Sequence, residues 1–498
     1  MRLIDLLARA TPQHTAETAP DLEIEGLTIE GLTADSRAVR PGFLFAALPG
    51  SKVDGRAFID QAVAQGAVAV LAPLGTKLKR SRRPVQLIED ENPRRRLALL
   101  AAAFFGRQPR QVAAVTGTSG KTSVAHFTRL LWELTGHPAA SLGTLGLVPA
   151  DALVFQPPSL TTPDPVALMR SLAGLAAAGY EHVALEASSH GLDQFRLDGI
   201  RPAAAAFTNL SHEHLDYHAD MAAYFAAKRR LFAELLAEGG TAVLNLDAPE
   251  SADLLALAKA RRLRTITYGL AEGADLRLVE RRPTATGQDL HLSVLGARQG
   301  VALPLIGDFQ AMNVLAALGL AMATGGQLAQ LMLALPRLGV VPGRLEHVGA
   351  TPSGGQVYVD YAHKPAALEA VLRTLRPHVA GRLWVVFGCG GDRDRAKRPL
   401  MGQIASRLAD QSIVTDDNPR SEDPAAIRQA ILAAAPTALE IGDRRAAIAA
   451  ALLGLGQGDA LVIAGKGHES GQIVGAVTHP FDDRAVAREL LAQMGGAA

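Results

Sequence analysis

Residues 111–134 read QVAAVTGTSGKTSVAHFTRLLWEL. Val112–Val115 has the length and apolarity of a short buried strand, a glycine-rich loop follows, and Ser123–Leu134 carries helical periodicity. A strand that runs through such a loop into a helix can cradle phosphate. Its glycines let backbone N–H groups approach the anion, and the helix N-terminus favours negative charge. Lys121 adds a cation, and Thr122 offers a hydroxyl to a phosphate-bridging magnesium ion. The general phosphate-loop pattern has a glycine five residues before Gly120, where this chain has Val115. The match is therefore to a shorter variant, Gly-Thr-Xaa-Gly-Lys-Thr. ATP is the expected ligand, with Gly117, Thr118, Ser119, Gly120, Lys121, Thr122 and Ser123 as its candidate contacts. The plain alternative is a tight glycine turn that only starts a helix.

Strand-then-loop units recur at His182–Leu185, Ala203–Phe207 and Thr241–Leu246. A second series begins after Pro342-Gly343, with strands expected at Val357–Val359, Leu383–Phe387, Ser412–Thr415 and Ala460–Ile463. Strands alternating with helices predict an α/β protein with largely parallel, helix-covered sheets, whose ligands lie at the strands' carboxyl ends. The N-terminal part mixes strand-like runs at Leu22–Ile29 and Val85–Ile88 with a helix near Phe58–Gln65, and Pro41-Gly42 and Gly50–Gly55 are turn chemistry. The length of 498 residues suggests roughly three domains. Their expected spans are 1–107, 108–340 and 341–498.

Lys and Arg number 50 against 49 Asp and Glu, a formal net charge of +1. That balance gives no reason to expect nucleic acid or an acidic membrane surface as partner. The single cysteine, Cys389, excludes an intrachain disulfide and fits a reducing compartment. The N-terminus, MRLIDLLARATPQH, reads as a short amphipathic helix rather than a signal peptide. Apolar stretches such as Val314–Ala323 reach about half the length of a membrane span. The expectation is a cytoplasmic, monomeric protein without membrane insertion.

Glu186 follows one strand, and the segment Thr208–Asp216 with His214 follows the next. Both are expected on the edge that carries the phosphate loop, where a carboxylate and an imidazole could complete a magnesium site. Taken singly, Glu186 could pair with a lysine and His214 could cap a helix. Lys228 reads as an ordinary helix-surface lysine.

Together these segments resemble the Mur ligase family, in its branch that uses meso-diaminopimelate. The resemblance runs nearly end to end, through Asp35-Ser36-Arg37 with the Gly50–Gly55 turn, Thr116–Thr122, Thr161-Thr162-Pro163, and Glu186–Leu192 with Gln194 and Arg196. It continues through His214-Leu215-Asp216, Lys228, Asn313, Pro342-Gly343-Arg344, Asp360-Tyr361-Ala362-His363, Gly390-Gly391-Asp392-Arg393, Asp417-Asn418-Pro419-Arg420 and Gly465-Lys466-Gly467-His468-Glu469. It implies an N-terminal domain for a uridine nucleotide, a central ATPase domain and a C-terminal Rossmann-like domain for an incoming amino acid. By the same likeness, Ser36, Ser51, Lys52 and Val53 would touch the UDP-sugar, and Thr161, Thr162, Ser188, Gln194 and Arg196 the muramoyl-peptide. Asn313 and Asp360 match adenine and ribose contacts. Thr122, Glu186, His214 and Lys228, the last as a carbamate formed from CO2, would be the magnesium ligands, with Lys121, Lys228 and His214 in catalysis. Two positions depart from the pattern. Ser119 stands where many relatives have asparagine, and Leu160 stands where some place an asparagine that contacts substrate.

The implied reaction joins meso-diaminopimelate to the D-glutamate of UDP-MurNAc-L-Ala-D-Glu through an acyl phosphate, releasing ADP and phosphate during peptidoglycan precursor synthesis. Diaminopimelate differs from lysine in ending in a second amino-acid head. Arginine's planar fork binds a carboxylate bidentately. Arg420 and Arg393 are therefore the expected carboxylate partners, and Glu469 the partner of the distal ammonium. Asp417, Asn418, Pro419 and Gly465 complete that site by resemblance. His363 is a candidate base or a nucleotide contact. The rival readings are addition of L-lysine, a folylpolyglutamate-type ligase, a nucleotide-dependent binding module, and a kinase. Binding sites spread over three domains also lead to an expectation of domain closure on ATP.

Overall fold

The computed structural model describes residues 1–10, 26–50, 53–78, 84–153, 160–215, 217–284 and 287–495. It comprises two compact units, Met1–Arg277 with Leu315–Leu331, and Leu278–Val314 with Met332–Ala498. Among the described residues no helix is long and apolar enough to cross a membrane.

The first unit contains a small parallel sheet of β1 (Gly31–Thr33), β2 (Phe43–Ala46), β3 (Ala69–Pro73) and β4 (Gln86–Asp90), ordered as in the chain. Successive side chains of a strand point to opposite faces. Ala69 and Leu71 accordingly enter one apolar cluster while Val70 and Ala72 enter another. The strand expected at Leu22–Ile29 does not form in its described part; residues 22–25 lie outside the described set. Ile29 donates its N–H to the Met1 carbonyl, the Leu3 N–H donates to Leu27, and Ile29 is buried with Leu3, Leu6 and Leu7. The run's apolar end packs on the helix Leu3–Ala10 instead, and extended pairing begins at Gly31.

The larger sheet of this unit is built from β5 (Gln111–Thr116), β6 (Ala139–Gly143), β7 (Gly146–Val148), β8 (His182–Glu186), β9 (Ala204–Phe207), β10 (Thr241–Asn245) and β11 (Arg264–Gly269). Their order is β11-β10-β9-β5-β8-β6-β7, parallel throughout except for the β6–β7 hairpin. After β5 the chain turns first to β6 and β8 on one side, then to β9 on the other. The carboxyl end of β5 is thus a topological switch point, where open α/β sheets hold ligands. Glu186 was expected just beyond its strand and is instead the last residue of β8, in register with Val115.

The second unit takes in most of β12 (Leu276–Pro283), the antiparallel pair β13 (Gln288–Val294) and β14 (Ala297–Leu303), and a six-stranded sheet. That sheet comprises β15 (Glu346–Ala350), β16 (Gln356–Asp360), β17 (Leu383–Phe387), β18 (Gln411–Val414), β19 (Leu439–Glu440) and β20 (Ala460–Ala464), ordered β15-β16-β20-β17-β18-β19. Only the β15–β16 pair is antiparallel. Both faces are buried: Val385 and Phe387 lie in one core, Trp384 and Val386 in the other. Near-continuous apolar strands such as Leu383–Phe387 are what a sheet covered on both faces requires. A separate hairpin, β21 (Gly471–Val474) with β22 (Val477–Pro480), follows β20.

Candidate functional site

Most long helices here begin with a side-chain cap. Asn92, Asp164 and Asp220 accept N–H bonds at the starts of Pro93–Phe105, Pro165–Ala177 and Met221–Arg230. The helix Lys121–Leu134 differs: it starts at Gly120, in left-handed conformation at φ 89°, with no side-chain cap. At this end the helix dipole favours an anion. Gly117 has φ 146°, and a Cβ there would collide with the Thr208 hydroxyl. No other residue type fits.

The loop is held from below by the segment after β9. Asn209 accepts the Thr118 N–H on its carbonyl (2.8 Å) and the Ser119 N–H on its side-chain oxygen (3.0 Å). The Thr208 hydroxyl donates to the Ser119 carbonyl at 2.7 Å. Ser119 is thus gripped through its backbone while its side chain is exposed. Lys121 Nζ lies back across the loop, donating to the carbonyls of Gly117 (2.9 Å) and Thr118 (2.8 Å).

Lys228 is not the surface lysine its sequence context suggests. It is 1% exposed, donates to the Gly117 carbonyl at 2.7 Å and lies 4.3 Å from the centre of the Tyr224 ring. Burial, reinforced by the nearby Lys121 charge, pulls its pKa down to about 6. Tyr224 also shares a hydrogen bond with the Thr118 hydroxyl at 3.2 Å. His214 sits in left-handed conformation in the loop before this helix, its ring 6.0 Å from that of Tyr224 and 5.0 Å from that of His190. Asp216 lies outside the described residues.

On the other side of β5, Glu186 is 3% exposed. Its carboxylate accepts from the Thr122 hydroxyl (3.1 Å), the Thr144 N–H (2.7 Å) and the Thr144 hydroxyl (3.1 Å). The chain of contacts runs on from Thr144 to the Thr161 hydroxyl, and from Thr162 to the Glu186 carbonyl and the Ser188 hydroxyl. Arg196 donates to the Thr162 carbonyl (2.8 Å) and to Gln194 (2.7 Å). The five residues expected around a muramoyl-peptide therefore form one network that reaches the phosphate loop. Ser36 is buried and donates to Gln61, Val53 is exposed, and Ser51 and Lys52 lie outside the described residues.

Among the described residues no three His, Cys, Asp or Glu side chains gather into a metal-holding group. The hard oxygens of Thr122 and Glu186, 3.1 Å apart, suit magnesium. Further ligands would have to come from phosphate, water or a modified Lys228.

In the second unit, four strand ends of one sheet carry the remaining candidates apart from Asn313. Asp360 ends β16; its carboxylate accepts the N–H groups of Leu345 and Ala362, both at 2.7 Å. Burial raises its pKa to about 6, opposed by Arg344 and these two bonds. Asn313 is buried on the helix Asp308–Ala323, donating to Gln310. His363 bonds the Tyr361 carbonyl through Nδ1, and burial lowers its pKa.

Asp417 and Asn418 follow β18 and are buried, as is Gly465 after β20. Asp417 would be raised by burial, but Arg444 and Lys466 outweigh this and hold it below the usual range. Asn418 and Arg420 both adopt left-handed backbone, at φ 40° and 52°, with Pro419 between them. Arg420 donates through Nη1 to the Gly391 carbonyl (3.0 Å) and the Asn418 carbonyl (3.3 Å). Among the described residues it has no carboxylate partner. A Cβ on Gly390 would lie 2.8 Å from Arg420 Nη1 and 3.9 Å from Cγ of Arg393, whose side chain is exposed. Glu469 accepts from the Asn418 amide at 3.0 Å, and burial raises its pKa.

Three contact residues were given no role from the sequence. Thr144 directly follows β6 on the ligand edge. Tyr224 precedes Lys228 by four residues and so shares its helix face. Lys466 lies inside a glycine-flanked segment and is fully buried.

An uncapped helix after a glycine loop, with a hard-oxygen pair beside it, is the arrangement that phosphate-binding α/β proteins use. Three family models divide the chain: "Mur ligase family, catalytic domain" over residues 28–105, "Mur ligase middle domain" over 115–321, and "Mur ligase, glutamate ligase domain" over 343–467. The chain is 55% identical over 461 residues to the UDP-N-acetylmuramoyl-L-alanyl-D-glutamate–2,6-diaminopimelate ligase of Caulobacter vibrioides, covering 92% of this chain and 94% of that one. It is 52% identical to the protein of the same name from Bradyrhizobium diazoefficiens, covering 99% of both. A solved structure of a ligase with that name superposes at TM-score 0.71 with 34% identity, covering 99% of this chain and all of the other. The chain belongs to the Mur ligase family.

Proposed function

We propose that this protein is the ATP-dependent ligase that joins meso-diaminopimelate to the D-glutamate γ-carboxylate of UDP-MurNAc-L-Ala-D-Glu, a cytoplasmic step of peptidoglycan precursor synthesis. The observation that carries the choice of amino acid is Arg420. Among the described residues its fork bonds two carbonyls through one nitrogen, and its remaining donors suit a substrate carboxylate. L-Lysine has no such carboxylate. In its place the arginine would stay unmatched, and a site built for a charged partner rejects the analogue lacking it.

A carboxylate accepts an amine only once its oxygen can leave. When bound, ATP with magnesium supplies the phosphoryl group that makes the γ-carboxylate an acyl phosphate. The chain's own groups prepare that transfer. Lys121 offsets the developing negative charge, and the uncapped N-terminus of its helix orients the phosphates. Thr122 and Glu186 would hold magnesium, with Lys228, as a carbamate, and His214 completing its ligands. The low pKa of Lys228 supports this role, because CO2 adds only to a neutral amine. Thr161, Thr162, Ser188, Gln194 and Arg196 orient the muramoyl-peptide. Arg420 and Arg393 take the distal carboxylate of diaminopimelate and Glu469 its ammonium. The amine then attacks the acyl carbon, and phosphate leaves.

The test supplies the protein with ATP, UDP-MurNAc-L-Ala-D-Glu and either meso-diaminopimelate or L-lysine, and identifies the product by mass. A diaminopimelate-extended product is expected. A lysine product formed at comparable kcat/KM would overturn the choice of substrate.

A further inference from the structure

Lys466 has no part in the reaction described above, yet it is the most deeply buried lysine beside the amino-acid end, with no exposed surface. Its ammonium donates to the Asn418 side-chain oxygen (3.0 Å) and the Gly471 carbonyl (2.9 Å), and lies 3.2 Å from the Asp417 carboxylate. The Asn418 oxygen also accepts the Ile473 N–H at 2.9 Å. Two donors on the oxygen leave the Asn418 amide one orientation, with its NH2 toward Glu469. The Asn418 carbonyl, in turn, accepts from Arg420. One asparagine thus ties the acidic and basic halves of the expected amino-acid site.

The hairpin β21–β22 supplies the rest of the hold. Arg420 donates its N–H to the Ile473 carbonyl (3.1 Å) and accepts the Gly475 N–H (2.8 Å). These bonds fix Arg420 in a left-handed conformation that non-glycine residues seldom adopt. The hairpin, residues 471–480, lies beyond the stretch matched by the C-terminal family model, which ends at residue 467.

We infer that Lys466, together with the hairpin Gly471–Pro480, is a positioning device that aims Arg420 and Glu469, and so sets the preference for an amino acid with a distal carboxylate. This rests on the reading of Arg420 given above. Lys466 touches no substrate in this account; it acts through Asn418.

The test compares steady-state kinetics with meso-diaminopimelate and with L-lysine in the full-length wild type, Lys466→Met and Ile473→Pro. The second variant replaces the N–H that faces Asn418 with a proline ring carbon, which abolishes that bond and displaces the Asn418 amide, while the N–H lost is not one the hairpin's own ladder uses. Both variants are expected to raise KM for diaminopimelate at least tenfold and to lower the diaminopimelate-to-lysine ratio of kcat/KM by a similar factor. ADP affinity should stay within twofold of wild type. A merely structural role would lower the melting temperature and the active fraction, with KM and the ratio unchanged, and that result overturns the inference. Should Lys466→Met not fold, an unchanged ratio in Ile473→Pro overturns it alone. A wild type that does not use diaminopimelate would instead refute the proposed function, so the two failures are distinguishable.

Discussion

The two sheet edges proposed to hold the ligands are built from different materials. At the end of β5 the site is made of backbone, hydroxyls and glycine: Gly117 and Gly120 take the conformations that other residues resist, and the helix begins without a cap. Its deeply buried cation, Lys228, has no carboxylate partner within the ion-pair limit among the described residues, and burial drives it toward neutrality. At the ends of β18 and β20 the unusual conformations fall on Asn418 and Arg420 rather than glycine, and buried charges come in pairs. Arg444 and Asp483 meet at 2.7 Å with neither exposed, and Lys466 lies against Asp417. A phosphate cradle needs close approach of backbone to ligand. A site for a doubly headed amino acid needs rigidly aimed charges, and a paired buried network supplies that rigidity at a cost in desolvation.

The sharpest way to break this contrast is at the phosphate loop. Lys121→Ala is expected to lower kcat for phosphate release by roughly a thousandfold while leaving the melting temperature close to wild type. In the other site the largest effect falls on stability. Asp483→Ala leaves Arg444 buried without its carboxylate and should cost roughly 3–5 kcal/mol, read as a lowered midpoint in urea. Arg420→Ala is expected to raise KM for diaminopimelate by about ten- to a hundredfold, as charge-assisted hydrogen bonds of ~1.5–3 kcal/mol imply, with ADP binding measured by calorimetry unchanged. Thr144→Val removes one hydroxyl bond to Glu186 and should raise the magnesium concentration for half-maximal activity about fivefold, the scale of a single hydrogen bond of ~1 kcal/mol.

Lys228 adds a pH signature. Its folded pKa of about 6 lies below the 10.5 of an ordinary lysine, so between these values the unfolded chain binds the extra proton. On this account stability gains from Lys228 as pH rises from about 6 toward 10.5, and its burial is most costly below 6. Carbamylation follows the neutral amine. A carbamate signal from 13C-bicarbonate is expected above about pH 6 and should vanish in Lys228→Met.

The same contrast explains what the sequence revealed. The strand–loop–helix at 111–134 is local, so its glycines and lysine could be read directly. Strand ends were read one residue short at Glu186, Asp360 and Ala464, because the apolar pattern stops where polar or small residues begin. Backbone pairing nevertheless continues, through Val115↔Glu186 and Asp360↔Ala464. That extra residue matters, since Glu186 and Asp360 are held by sheet rather than by loop. Lys228 and Lys466 could not be read from neighbouring residues, since long-range packing buries them. Arg420 stood out only through resemblance, for nothing in Asp-Asn-Pro-Arg by itself announces two left-handed residues.

The most direct measurement follows an oxygen atom. UDP-MurNAc-L-Ala-D-Glu labelled with 18O in the γ-carboxylate is turned over with ATP and meso-diaminopimelate, and the released phosphate is analysed by mass. Passage through an acyl phosphate requires one 18O to appear in phosphate for each amide bond formed. Unlabelled phosphate, released in step with product, would contradict the account.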